Sequence, residues 1–295
     1  MYAIIQAMIW LFKQLARLPL SWLHAFGVAT GWLVYLLSPR YASRLRANLT
    51  HSGLCNSIPE ERQLIRQTVG EAGKSLAELP AIWSRSYEQV LSLVKARHGA
   101  EIMAELAGQK RGIIFLTPHL GCFEISSLFI AEHHPLTILY RPPRLAWLEP
   151  VMSGGRFRGQ IKLAPTNLSG VKALLKALKK GEMVGILPDQ VPGNGEGVWA
   201  NFFGRPAYTM TLVQRLQKST DAVIVLVFAE RLPGGAGFDL RFERMDAALP
   251  DDPVEAAGVM NTAVESMIRR NPAQYLWSYN RYKSPKGAKP VEDEA

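Results

Sequence analysis

Gly112-Ile113-Ile114-Phe115-Leu116-Thr117-Pro118-His119-Leu120-Gly121-Cys122-Phe123-Glu124 is the stretch on which the fold turns. An apolar run of strand character ends at Pro118. His119 follows at once, and Glu124 opens the next apolar segment. A strand end handing over to a helix start is where open α/β sheets place their chemistry. A histidine accepts a proton near neutral pH, and a carboxylate can orient it and stabilise its charged form. This is triad logic with the hydroxyl left for a substrate to supply. The same spacing arises when a histidine merely ends a strand and a glutamate lies on a solvated helix face. Two features favour chemistry. Glu124 sits between Phe123 and Ile125, where an idle carboxylate is costly. Gly121 lets a substrate approach the backbone closely.

The chain has 295 residues, 48% of them apolar, enough for one large α/β domain or two small ones. Its net charge of +9 favours an anionic partner. The 2 cysteines, Cys55 and Cys122, form no CxxC pair, which argues against a disulfide scaffold or a zinc site. No metal or other cofactor is expected. The basic residues form no recognisable nucleic-acid module, so nucleic acid is not an expected partner.

Upstream, residues 18–38 are uncharged and long enough to cross a bilayer. A transmembrane helix, a helix on the membrane surface and a buried hairpin compete here, and membrane attachment is favoured. Arg40, Arg44 and Arg46 follow at once, which favours a cytoplasmic main domain. Ser57-Ile58-Pro59-Glu60-Glu61 is a helix start, and the helix should run to about Trp83 with a break near Pro80. A further helical piece is expected over 87–95.

Downstream, a helix is expected over 123–132, a strand over 136–140 and a helix over 147–152. Arg156 and Arg158 in Gly154-Gly155-Arg156-Phe157-Arg158-Gly159 read either as a basic surface turn or as a phosphate-binding pair. Residues 168–180 form an amphipathic helix with Lys172, Lys176, Lys179 and Lys180 on one face. That stripe reads as an ordinary solvated face, or as a landing site for anionic lipid or an acidic carrier protein. A short strand over 183–187 leads into Pro188-Asp189-Gln190 and a glycine-rich loop without the ending of a phosphate loop. Thr209 or Thr211 caps a helix to Lys218. A central strand spans 222–229, an edge-like strand 238–244 and a helix 253–270.

His119-Leu120-Gly121-Cys122-Phe123-Glu124 resembles the His-x4-Asp/Glu block of the lysophospholipid acyltransferase superfamily, and in particular of the bacterial lipid A secondary (late) acyltransferases. Tyr140-Arg141-Pro142 with the Gly-Arg-x-Arg segment, Leu187-Pro188-Asp189-Gln190, and Phe202-Phe203-Gly204-Arg205-Pro206-Ala207 resemble that family's further blocks in order and spacing. Residues 274–283 resemble its closing block, and no catalytic residue is carried over from it. The resemblance implies an α/β fold with a mixed sheet flanked by helices and a hydrophobic N-terminal membrane-attachment helix. It divides the chain into an attachment segment (1–40), an acyltransferase domain (41–284) and a disordered tail (285–295).

It also implies a function. A fatty acyl chain would pass from acyl carrier protein to a hydroxyl of a lipid A precursor at the bacterial inner membrane, on the cytoplasmic side. His119 and Glu124 would be catalytic, with Glu124 orienting the imidazole. Arg156, matching the family's important arginine, would bind substrate with Arg158 and Arg141; Asp189, matching the family's acidic position, would touch the substrate, hold Arg156 or hold the loop in place. Backbone N–H groups of 120–122 are candidates for the oxyanion site. Cys122 beside a histidine raises covalent catalysis as an alternative. A different lysolipid acceptor, a thioester hydrolase and a non-catalytic basic membrane adaptor are the competing functions.

Overall fold

The computed structural model describes residues 2–143, 145–193, 195–245 and 248–288. The N-terminal third is helical: α1 (Tyr2–Leu15), α2 (Leu20–Leu37), α3 (Pro39–His51), α4 (Ile58–Ala77), α5 (Leu79–Ser84) and α6 (Tyr87–Leu91). Strands and helices then alternate: β1 (Val94–His98), α7 (Glu101–Gly108), β2 (Ile113–Leu116), α8 (Phe123–Ile130), β3 (Leu136–Tyr140), α9 (Glu149–Arg156), β4 (Ile161–Pro165), α10 (Leu168–Lys179) and β5 (Met183–Ile186). A hairpin follows, β6 (Gly197–Phe202) and β7 (Arg205–Met210), then α11 (Leu212–Thr220), β8 (Val223–Arg231), β9 (Phe238–Arg244) and α12 (Pro253–Arg270).

The main sheet runs in the order β1-β9-β8-β2-β5-β3-β4. The β8–β9 pair is antiparallel and the others are parallel, so the sheet is mixed. The four residues of β2 are wholly buried, as expected of a central strand covered on both faces. Ile113 and Phe115 pack with Ile125, Leu128 and Phe129 of α8 on one face. Ile114 and Leu116 pack with Leu174 of α10, Val213 of α11 and Met260 of α12 on the other.

One expectation is corrected. The helix expected over 87–95 stops at Leu91, and Val94–His98 pairs with β9 as an edge strand. A capping box between Ser86 and Gln89 starts the helix, and the edge strand is so short and polar that its Val94-Lys95-Ala96-Arg97 alternation is a faint signal. The hairpin β6–β7 matches no element expected from the sequence. Its turn, Phe203-Gly204, holds both residues at positive φ (49° and 72°), the geometry of a two-residue hairpin.

α2 is long and apolar enough to cross a membrane. One of its faces is nevertheless packed on α4 at backbone distance. A Cβ added at Gly73 would lie 1.9 Å from the Gly27 carbonyl oxygen, so only glycine allows this crossing. The contact is pinned by a buried charge cluster. Arg231 donates from Nε and Nη2 to Glu78 (both 2.8 Å) and from Nη1 to Glu71 (2.7 Å). His24 Nε2 of α2 lies 3.1 Å from Glu78 Oε2. The outer face of α2 exposes Trp22, Phe26, Leu33, Leu36 and Leu37. Of the expected tail, residues 289–295 lie outside the described residues, while Pro285 lines the cavity described next.

Candidate active site

β2 lies between β5 and β8, parallel to both. Parallel neighbours end at the same edge of the sheet, so residues just beyond β2 and β5 become neighbours. This places His119 beside Asp189, 70 positions later. Asp189 grips the histidine twice. Its Oδ1 lies 2.9 Å from His119 Nδ1, and its Oδ2 accepts the His119 backbone N–H at 2.9 Å. Burial alone would raise the Asp189 carboxyl, but the facing imidazole and the two hydrogen bonds from His119 outweigh it and hold Asp189 below its ordinary value. An ionised acceptor at Nδ1 puts the neutral imidazole's proton there. Nε2 is then the free base, and it lies 3.1 Å from the side-chain amide of Gln190.

The sequence reading assigned the orienting carboxylate to Glu124. The geometry corrects that role. Glu124 is buried and forms a two-pronged pair with Arg156, whose Nε lies 2.8 Å from Oε2 and whose Nη2 meets Oε1. The Trp83 indole N–H also donates to Glu124 (3.3 Å), and the rings of Trp83 and Tyr140 lie 5.6 and 5.9 Å from the guanidinium carbon. Burial alone would lower the Arg156 pKa, but Glu124 raises it further, so the guanidinium is a fixed charge. Arg158 faces elsewhere: it donates to the backbone carbonyls of Trp83 and Arg85 and ties α9 to α5. It is thus spent on structure and not presented to a ligand. Arg141 is exposed at the cavity rim.

The His119 loop is fastened by backbone. Gly121 N–H donates to Gln274 (3.1 Å), Cys122 N–H to Ala229 of β8 (2.9 Å) and Leu276 N–H to the His119 carbonyl (3.1 Å). The closing block of the chain therefore buckles this loop in place, a task its sequence did not announce. Gly121 has φ +61°, and a Cβ there would lie 1.9 Å from the Ala229 oxygen, so glycine is required. With Leu120 N–H turned to Pro118 (2.7 Å), the backbone donors of 120–122 are all engaged. They are not the oxyanion site expected from the sequence. α8 starts next to His119 with no side chain capping it at Cys122, and its Ile125 N–H turns back to the Cys122 carbonyl (3.1 Å). Cys122 is buried, and burial pushes its thiol well above the ordinary value, so it is a poor nucleophile.

His119, Glu124, Arg156, Arg141 and Gln190 border one cavity of about 640 Å³. It continues under α8 along an apolar floor of Phe115, Leu136, Ile138, Gly185 and Val227. Gln190 and Trp83 carry contacts that the sequence reading assigned to no one. Gln190 was legible only as the neighbour of Asp189, and Trp83 gave no signal beyond its apolar setting.

The sequence profile of the bacterial lipid A biosynthesis acyltransferases matches residues 1–284. The chain belongs to that family. Among its relatives, the lipid A biosynthesis lauroyltransferase of Escherichia coli (strain K12) is 28% identical over 294 residues, covering 91% of this chain and 94% of the relative. The palmitoleoyltransferase of the same organism is 27% identical over 277 residues (94% and 89%). A lipid A biosynthesis acyltransferase of Haemophilus influenzae is 29% identical over 285 residues (93% and 88%). The protein is therefore an acyltransferase of lipid A synthesis. The acyltransferase carries its His119–Asp189 pair and its Glu124–Arg156 pair side by side at the mouth of an apolar channel.

Proposed function

We propose that this acyltransferase moves a fatty acyl chain from the thioester of acyl carrier protein to a free hydroxyl of a lipid A precursor, directly and without an acyl-enzyme. One observation carries the reading. A histidine whose Nδ1 is bound to a buried carboxylate turns its other nitrogen to the mouth of an apolar channel.

The acceptor hydroxyl takes the place of the Gln190 amide at His119 Nε2. His119 accepts its proton as the oxygen attacks the thioester carbonyl carbon, and Asp189 stabilises the imidazolium that forms. The carbonyl π electrons move to oxygen. That oxyanion is met by the first N–H groups of α8 and by Arg156, which Glu124 and Trp83 hold in orientation. When the intermediate collapses, the C–S bond breaks, and the imidazolium proton goes to the departing thiolate. The thioester itself is the activated donor, so no cofactor is required. The buried, unreactive Cys122 supports direct transfer over a covalent intermediate.

The reading includes a membrane-surface setting. α2 turns one face to the protein through His24 and the glycine contacts, and the opposite face bears Trp22, Phe26 and Leu33. A helix with one face held on a protein and the other apolar suits the interface plane of a membrane better than a span. The main domain is assigned to the cytoplasmic side, where acyl carrier protein is found.

The test is incubation of the purified protein with acyl carrier protein bearing mixed chains and a lipid A precursor, read by product mass. One added chain is expected, absent with His119→Ala. No lipid product from the wild type, or full activity in His119→Ala, would overturn the reading.

A further inference from the structure

Gly185 stands in β5 with Phe115 of β2 on one side and Ile138 of β3 on the other. Strand alternation fixes the direction a side chain would take. Met183 belongs to the core beneath α8, whereas Val184 and Ile186 belong to the core on the opposite face. A side chain at 185 would therefore point under α8, into the channel that Gly185 lines together with His119. A Cβ there would come within 2.9 Å of Ile138 Cγ2 and 3.8 Å of Leu136 Cδ1.

The backbone does not ask for glycine at this place. Gly185 is an ordinary strand residue, outside the set with positive φ. A glycine inside a central strand weakens it and leaves nothing to pack, and such a residue often marks close approach of a ligand. The absent side chain is the opening of the channel. Leu136, paired with Met183, lies two residues further from the site, about 7 Å deeper. A side chain at 185 would cut the channel off above that depth.

We infer that Gly185 determines the acyl chain length this enzyme takes. The inference rests on the acyl-transfer reading and adds a specificity-determining residue to it. The tail of the donor chain runs from the thioester beside His119 over Gly185 and ends against Leu136 and Ile130. Differences of one methylene or more in an apolar pocket discriminate substrates by about ten-fold or more.

The experiment compares wild type, Gly185→Leu, Gly185→Ala and Leu136→Ala in two assays. The first offers a mixture of acyl carrier protein thioesters of graded length with the lipid acceptor and reads product masses. The second measures the shift in melting temperature caused by saturated fatty acids of graded length, with no reaction involved. Gly185→Leu should move the preferred length to shorter chains, changing the ratio of short to long product by about ten-fold or more. Gly185→Ala should move it less, and Leu136→Ala should move it to longer chains. An unchanged length preference in a folded variant, or an equal loss at every length, overturns the inference. If Gly185→Leu does not fold, the other two variants decide it by the same criterion. If the wild type yields no lipid product, the acyl-transfer reading falls. The fatty-acid optimum then still decides: a shift on substitution keeps Gly185 as the gauge of a chain-binding channel, and no shift removes it.

Discussion

Asp189 does its work with two oxygens, and this makes it hard to replace. One oxygen faces Nδ1 of His119 and the other holds the backbone N–H of the same residue. An asparagine has one oxygen and one NH2 group. If its oxygen serves Nδ1, its NH2 faces an N–H donor. If its NH2 serves Nδ1, the imidazole proton shifts to Nε2, where the base should be free. Either way the charge that stabilises imidazolium is gone. Asp189→Asn is therefore expected to lower kcat by about 10²–10⁴-fold, the usual span of a general-base contribution. Single-turnover rates check the loss, and ¹⁵N spectra of the imidazole check the tautomer. A fully active Asp189→Asn enzyme would detach Asp189 from catalysis. The residues of this site were legible in the sequence, but their pairing was not. His119 and Glu124 share one short block, which suggested that they touch. Strand order instead brings Asp189 to the histidine from the neighbouring parallel strand, and the fold of α9 brings Arg156 to the glutamate. Local spacing does not encode that the end of β5 stands next door.

Elements with their own start and stop signals were legible, and elements defined only by pairing were not. α12 begins after Asp252, which caps it through Val254 and Glu255, and ends on Arg269 and Arg270. α4 begins at the Ser57 cap, with Pro59 and two acids in its first turn. β1 owes its place to β9, distant in the chain, whereas β6 and β7 pair with each other across the Phe203-Gly204 turn and carry no strand signal of their own. The crossing of α2 over α4 likewise shows only in three dimensions, and so does the charge cluster that locks it. Burial would raise the Glu78 carboxyl, but Arg231, and with it His24, lowers it from 4.5 to about 2. A carboxylate lowered in the folded state adds stability that is fully present above its unfolded value and lost as protons bind the folded form. Stability should therefore fall as pH drops from 4.5 toward about 2, and Glu78→Gln should flatten that part of the profile. At neutral pH the substitution should cost about 3 kcal/mol, the lower end for breaking a buried pair, because Glu71 still faces Arg231. Urea unfolding followed over that pH range measures both effects. An unchanged profile in Glu78→Gln would mean that the cluster is not what holds α2 down.

At the scale of the molecule, the proposed donor, an acidic carrier protein, raises the question of where positive charge would meet it. The lysine stripe of α10 reads in the sequence as an ordinary solvated face or, alternatively, as a landing surface. Its end, Lys179, shares a depression with Lys110, Arg111, Gly112 and Lys218, where β2 begins. His119 lies beyond the other end of the same strand, more than 10 Å away by strand rise, roughly 3.3 Å for each of its residues. A carrier seated on those lysines would have to pass its thioester around the depth of the sheet. Arg141 and Lys283 instead stand exposed on the rim of the cavity itself. Rim charges govern encounter rate and salt dependence more than they govern the chemical step. The double variant Arg141→Glu with Lys283→Glu is expected to raise KM for acyl carrier protein by about ten-fold at low salt, with kcat nearly unchanged. The difference should shrink as ionic strength shortens the screening length to about 8 Å. Lys179→Glu with Lys180→Glu should leave KM where it was. Initial rates against carrier concentration at two ionic strengths decide between them. The opposite ranking would return the docking surface to α10 and require the acyl chain to enter from the far side of the sheet.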